Sequence, residues 1–95
     1  MYLNFKEIKE KLTVEEVLNE LNINHLKFKS ESYSGFCPIH KGKNKNAFHF
    51  NKSKKIFNCF TKCGGGNILD FIMKYKNISI YEAGLIGLNI VKEKK

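Results

Sequence analysis

Three cysteines and one histidine of this chain fall into two close pairs. Cys37-Pro38-Ile39-His40 has two residues between its donors, and Cys59-Phe60-Thr61-Lys62-Cys63 has three. A short loop turns both of its side chains inward, so each pair can grip one ion, and two such knuckles on neighbouring turns complete a tetrahedron. Eighteen residues separate His40 from Cys59, enough for a strand hairpin. Three sulfurs and one imidazole, with every position filled, favour one structural Zn²⁺ over a catalytic metal with an open position. Free cysteine is common in protein cores, yet every cysteine here belongs to one of the two knuckles. His25 and His49 are rivals for the imidazole position. His49 lies between Phe48 and Phe50, so strand alternation sends it to the face opposite both, as befits a surface histidine.

Such knuckles need elements to hold them. Phe5, Ile8 and Leu12 recur at helical spacing behind Asn4, a suitable cap. Thr13-Val14-Glu15-Glu16 reads as a capping box opening a second helix with Val14, Val17, Leu18 and Leu21 on its apolar face. The period then changes to two. Leu26 to Ser30 and Tyr33 to Phe36 read as a strand pair around a turn at Glu31-Ser32. Phe48-His49-Phe50 and Ile56-Phe57-Asn58 read as a second pair joined by Asn51 to Lys55. Gly64-Gly65-Gly66 breaks the pattern, Asn67 caps a helix through Lys76, and Ser79-Ile80-Tyr81-Glu82 opens a last helix. The glycine run could also expose backbone amides to a phosphate. The expected fold is α+β: a zinc-ribbon-like small antiparallel β-sheet flanked by N-terminal and C-terminal helices. One domain is expected over 1–95, helical over 1–24, sheet with zinc knuckles over 25–63, and helical over 64–95.

The formal charge of +8 is unevenly placed. Residues 1–24 carry three Lys against five Glu, residues 25–62 nine Lys against Glu31 alone, and residues 63–95 five Lys against three acids. Polyanion binding therefore belongs to the middle third. Every cation is Lys, a point charge that cannot make the planar fork that reads guanine edges, so backbone tracking is better supported than base reading. Lys41 to Lys62 contains seven lysines and no acid, interleaved with Phe48, Phe50, Phe57 and Phe60. A cationic track with aromatic faces is how single strands are held. Lys43, Lys45, Lys54, Lys55 and Lys62 are the candidate phosphate contacts. Phe57 is the candidate stacking aromatic with Phe60 its alternative, since most phenylalanines of so small a domain must fill the core.

Together these motifs resemble the zinc-binding domain of bacterial DnaG-type primases. The resemblance rests on Cys37-Pro38-Ile39-His40, Phe48-His49-Phe50, Lys54 to Phe60, Cys63-Gly64 and Gly65-Gly66-Asn67-Ile68-Leu69-Asp70-Phe71-Ile72. It extends to Tyr33-Ser34-Gly35-Phe36 and Ser79 to Ala83, and covers about residues 13–88. The chain departs from the family pattern at its second knuckle, which is one residue wider, and in Lys41 to Ala47, which lacks the usual Lys-Thr-Pro-Ser. Asn67 also replaces an acidic cap. The resemblance implies a domain that binds single-stranded DNA template and helps to position the start of a primer.

Polymerisation by these residues is not expected. Two-metal phosphoryl transfer needs clustered carboxylates, whereas Asp70 is the sole aspartate and no Asp-x-Asp exists. A catalytic primase or polymerase subunit acting in trans is the expected partner, with a replicative helicase as a further candidate and a plasmid, phage or other mobile element as a suitable source. Phe5, Ile8, Leu85, Leu88 and Val91 are either docking surface or plain core. The competing readings are a regulatory zinc ribbon on duplex DNA or RNA, and a protein-interaction module. No apolar run approaches the roughly 20 residues of a membrane span and the start does not form a signal peptide. A cytoplasmic location, where thiols stay reduced, is therefore expected.

Overall fold

Polar side chains in front of apolar runs start each helix. The computed structural model describes residues 4–41, 43–44, 46–60 and 63–93. Asn4 Oδ1 accepts from the Glu7 amide and opens α1, Phe5–Lys11. Thr13 and Glu16 form the reciprocal capping box of α2, Val14–Glu20. Asn67 and Asp70 do the same for α3, Ile68–Lys76, and Ser79 and Glu82 for α4, Ile80–Glu93. Each such cap is worth about 0.5–2 kcal/mol. Asn77 ends α3 in the left-handed region at φ 57°, with its amide donating to the Met73 carbonyl.

Between the helices lies a five-stranded antiparallel meander: β1 Lys27–Lys29, β2 Ser32–Gly35, β3 Phe48–Asn51, β4 Ile56–Cys59 and β5 Gly64–Asn67, paired in that order. The α+β architecture expected from the pattern is the one observed, with two differences. The first turn sits at Ser30-Glu31, both left-handed at φ 53° and 67°, one residue earlier than expected. Two successive left-handed residues match the twist of a tight hairpin. The glycine run, expected as a break, forms β5. Gly64 takes φ 73°, and a Cβ on Gly66 would lie 2.7 Å from the Asp70 side chain, so glycine lets this edge strand run tight against the start of α3.

Register sorts the side chains. Tyr33, Phe50 and Phe57 align across β2–β4, and Gly35, Phe48 and Cys59 form the next row on the same, helix-covered face. Phe48, Phe50 and Phe57 meet Phe71 of α3, and all six ring pairs among them lie at 4.9–6.1 Å. Such edge and tilted pairs add about 0.5–1.5 kcal/mol each to the burial itself. Ile8 of α1 and Ala83 and Ile90 of α4 close the same core. Ile8 is therefore core, with Phe5, Leu88 and Val91 partly buried against it. The opposite face carries two rows, Lys27–Ser34–His49–Asn58–Gly65 and Lys29–Ser32–Asn51–Ile56–Asn67, without one acidic residue.

Lysines also tie elements together. Lys52 Nζ lies 2.8 Å from Glu15 Oε2, linking the β3–β4 hairpin to α2. That bond from Lys52 holds the Glu15 carboxyl below the usual carboxylate range against the opposing effect of burial. No helix among the described residues is long and apolar enough to cross a membrane.

Candidate metal centre

Cys37 follows β2 by two residues, Cys59 ends β4, and Cys63 leads into β5. Pairing of Gly35 with Phe48, Phe48 with Cys59 and Cys59 with Gly64 carries all three to one end of the sheet. His40 closes the turn that starts at Cys37, and its Nδ1 faces the sulfurs. The second knuckle is the β4–β5 loop, held from outside by Lys74 Nζ, which donates to the Cys63 carbonyl at 2.8 Å. The Phe60 amide donates to the Ala47 carbonyl at 2.7 Å and fixes the other side of that loop.

The four donor atoms lie within 4.8 Å of one another. A tetrahedral zinc with bonds of about 2.3 Å to sulfur and 2.05 Å to nitrogen sets S···S edges near 3.8 Å and S···N edges near 3.6 Å. Cys37 Sγ and Cys63 Sγ stand 3.7 Å apart, Cys59 Sγ and His40 Nδ1 3.8 Å, and Cys63 Sγ and His40 Nδ1 3.0 Å. The donor set therefore fits the ion once its edges adjust by up to about 1 Å. Burial pushes the Cys37 thiol up to about 12, while the amides of His40 and Ile39 hydrogen-bond its sulfur and pull the other way. Amides aimed at a sulfur are partners for a thiolate, and a dication supplies the charge that keeps it ionised.

The rival histidines stand elsewhere. His25 Nε2 is 3.0 Å from the Phe36 carbonyl and its ring stacks on Phe36. His49 lies on the open sheet face, its ring 5.3 Å from that of Phe60.

The expected nucleic-acid residues separate. Phe57 has no exposed surface, so it cannot offer a ring to a base, and the assignment of Phe57 as a stacking residue is corrected. Phe60, its alternative, is 65% exposed. Lys55 Nζ donates to the carbonyls of Lys9 and Glu10 at 3.1 and 2.7 Å, so its charge satisfies the last turn of α1. Lys43 and Lys54 are exposed, whereas Lys45 and Lys62 lie outside the described residues. The amides of Asn67, Leu69 and Asp70 already have side-chain acceptors, so the start of α3 is no open cradle for a phosphate. Sequence reasoning missed the outer-face rows, because the register across the sheet pairs residues up to 19 positions apart (Ser32 with Asn51).

Comparison with known proteins agrees with this geometry. The family described as CHC2 zinc finger, the DnaG zinc ribbon, matches residues 3–92. A DNA primase of Clostridium acetobutylicum is 41% identical over 58 residues, 61% of this chain and 10% of that protein. A DNA primase of Thermotoga maritima is 33% identical over 79 residues, 82% of this chain and 13% of that protein. The chain thus spans about a tenth of the length of the curated relatives it matches. The crystal structure of the zinc-binding and RNA polymerase domains of the Aquifex aeolicus primase superposes with a TM-score of 0.79 at 27% identity, covering 100% of this chain and 24% of that one.

Proposed function

The chain belongs to the CHC2 zinc-finger family of DnaG-type primases and carries one structural zinc, and we propose that it binds single-stranded DNA template on the open face of its sheet and assists primer initiation by a catalytic primase or polymerase subunit in trans. In this reading the 95 residues act as one module, and Cys37, His40, Cys59 and Cys63 are the zinc ligands. With bound zinc holding Cys37, His40, Cys59 and Cys63, the ends of β2 and β4 and the start of β5 keep a fixed relation.

The observation that carries the reading is the open face itself. Its two register rows bear Lys27 and Lys29, hydroxyls, amides and His49 but no carboxylate, with Phe60 beside His49. Ammonium groups with an exposed ring suit a strand whose phosphates are neutralised and whose bases stack. Lys43 and Lys54, exposed beyond the two ends of β3, extend the positive field. Catalysis by residues other than these is supported by Asp70, the sole aspartate here, whose carboxylate accepts from the Asn67 amide and is committed to capping α3.

Anisotropy titration of short labelled single strands and duplexes at several salt concentrations tests the binding. Salt-sensitive preference for the single strand is expected, and equal or absent binding would overturn it. Primer synthesis by the catalytic subunit, with and without this chain, tests the second half: the chain should raise initiation, and an unchanged rate would refute the role.

A further inference from the structure

Beyond Ser34, β2 outruns its edge partner: β1 pairs from Lys27 opposite Ser34 to Lys29 opposite Ser32, so Gly35 and Phe36 have no neighbour in β1. His25 takes that place. Its ring lies on the Phe36 ring at 3.7 Å between centroids and 12° between planes, and the Nε2 contact to the Phe36 carbonyl fixes it there. Both rings are half-buried, so the pair is seated in the fold and still reaches solvent.

Two cavities share this pair as a wall. One, of about 370 Å³, is completed by Lys27, Ser34, Gly35 and Asn46. The other, of about 440 Å³ behind the first zinc knuckle, is completed by Lys41, Asn22, Ile23, Pro38 and Tyr75. Each cavity therefore offers an aromatic wall, one ammonium and one side-chain amide. Both volumes fall within the range of small-molecule sites, about 300–1,000 Å³. The first cavity also continues the open sheet face. Ser34 pairs with His49, His49 with Asn58, and Phe60 stands beside His49. An acid-free track thus crosses the sheet from Phe60 to the His25–Phe36 pair, over three strand spacings of about 4.8 Å each.

We propose that the His25–Phe36 pair is a wedge between two bases of the bound single strand. This deepens the single-strand reading above and rests on it. One base seats in each cavity against the wedge, Lys27 and Lys41 meet the flanking phosphates, and the Asn46 and Asn22 amides face the base edges. A nucleotide has a π-face, an anionic linker and a polar edge, and each cavity supplies one partner for each. An aliphatic peptide segment would use the wall and leave the ammonium and the amide unmatched. Because the wedge is locked before binding, little ordering is lost when a base stacks on it.

The test uses the zinc-loaded chain and short single strands carrying 2-aminopurine, whose fluorescence falls on stacking, at one position at a time. The wild type should quench the probe at two adjacent positions. His25→Ala should abolish the quenching at one of the two positions and weaken binding about tenfold, the loss of one stacked base, while His25→Phe should retain both. Binding without quenching at any position, or quenching that survives at both positions in His25→Ala, overturns the wedge and leaves the single-strand reading standing. No binding by the wild type overturns both. Should circular dichroism show His25→Ala unfolded, Lys27→Gln and Lys41→Gln, at exposed positions, carry the test. Each should lower the salt dependence of binding by about 0.7 in log–log slope, and unchanged slopes in both refute the placement of the strand.

Discussion

Phe57 and Phe60 sit three positions apart on one strand and its turn, yet their truncation should have opposite consequences. Phe57 has no exposed surface and meets Phe48, Phe50 and Phe71 at 6.0, 6.0 and 5.4 Å. Phe57→Ala removes a buried ring held between two rings of β3 and one of α3, so collapse around the cavity is limited and a loss of about 3–5 kcal/mol is expected. A domain of this length has a total stability of roughly 5–14 kcal/mol, so the variant should unfold at a much lower urea concentration. Phe60 is 65% exposed, and Phe60→Ala should change the unfolding free energy by less than about 0.5 kcal/mol. The same change should weaken binding of a short single strand by about 1–3 kcal/mol, roughly 5- to 150-fold. Urea denaturation of the zinc-loaded proteins and anisotropy with a labelled strand read the two effects. A Phe57→Ala protein as stable as the wild type, or a Phe60→Ala protein that loses stability and keeps its affinity, would refute the division of the strand into a core face and a binding face.

Lys54→Met and Lys55→Met, adjacent in sequence, should also differ. Lys55→Met removes the donor to two carbonyls at the end of α1 and should cost about 1 kcal/mol in denaturant melts with affinity little changed, whereas Lys54→Met should leave stability unchanged and reduce the salt dependence of binding. In the metal-free protein Cys37 is raised to about 12 by burial, so its contribution is fully present below the ordinary thiol range and is lost as pH rises from about 9 to 12. Stability of that form should fall with a slope of up to about 1.4 kcal/mol per pH unit across this window in alkaline melts, while the zinc-loaded form should instead lose stability on the acid side as protons displace the metal. Asn77→Ala, at a left-handed position, should lower the melting free energy by about 1 kcal/mol, and Asn77→Gly should not.

What could be seen in the sequence was whatever is written locally. Thr13 with Glu16, and Ser79 with Glu82, are capping boxes complete within four residues, and both helix starts lie where those boxes put them. The two knuckles carry their own spacing, so the metal cluster was legible before any strand was paired. β5 was hidden because Gly64-Gly65-Gly66 has no side chains to alternate; only its pairing with β4 makes it a strand. The inward fate of Phe57 had a readable signal. It lies two residues before Cys59, so both must share one face, and a ligand turned toward the knuckles takes Phe57 inward with it. Lys55 had none, since its partners on α1 are 45 and 46 positions away and meet it only in the folded chain. The stacking of His25 on Phe36, 11 positions apart, has no local signal either, arising where β1 stops short of the end of β2.

The most direct test of the whole account is the metal itself. Native mass spectrometry should find one zinc per folded chain, and X-ray absorption at the zinc edge should give three sulfurs near 2.3 Å and one nitrogen near 2.0 Å. A folded protein that takes up no zinc when the metal is supplied, with the thiols of Cys37, Cys59 and Cys63 all open to alkylation, would contradict it.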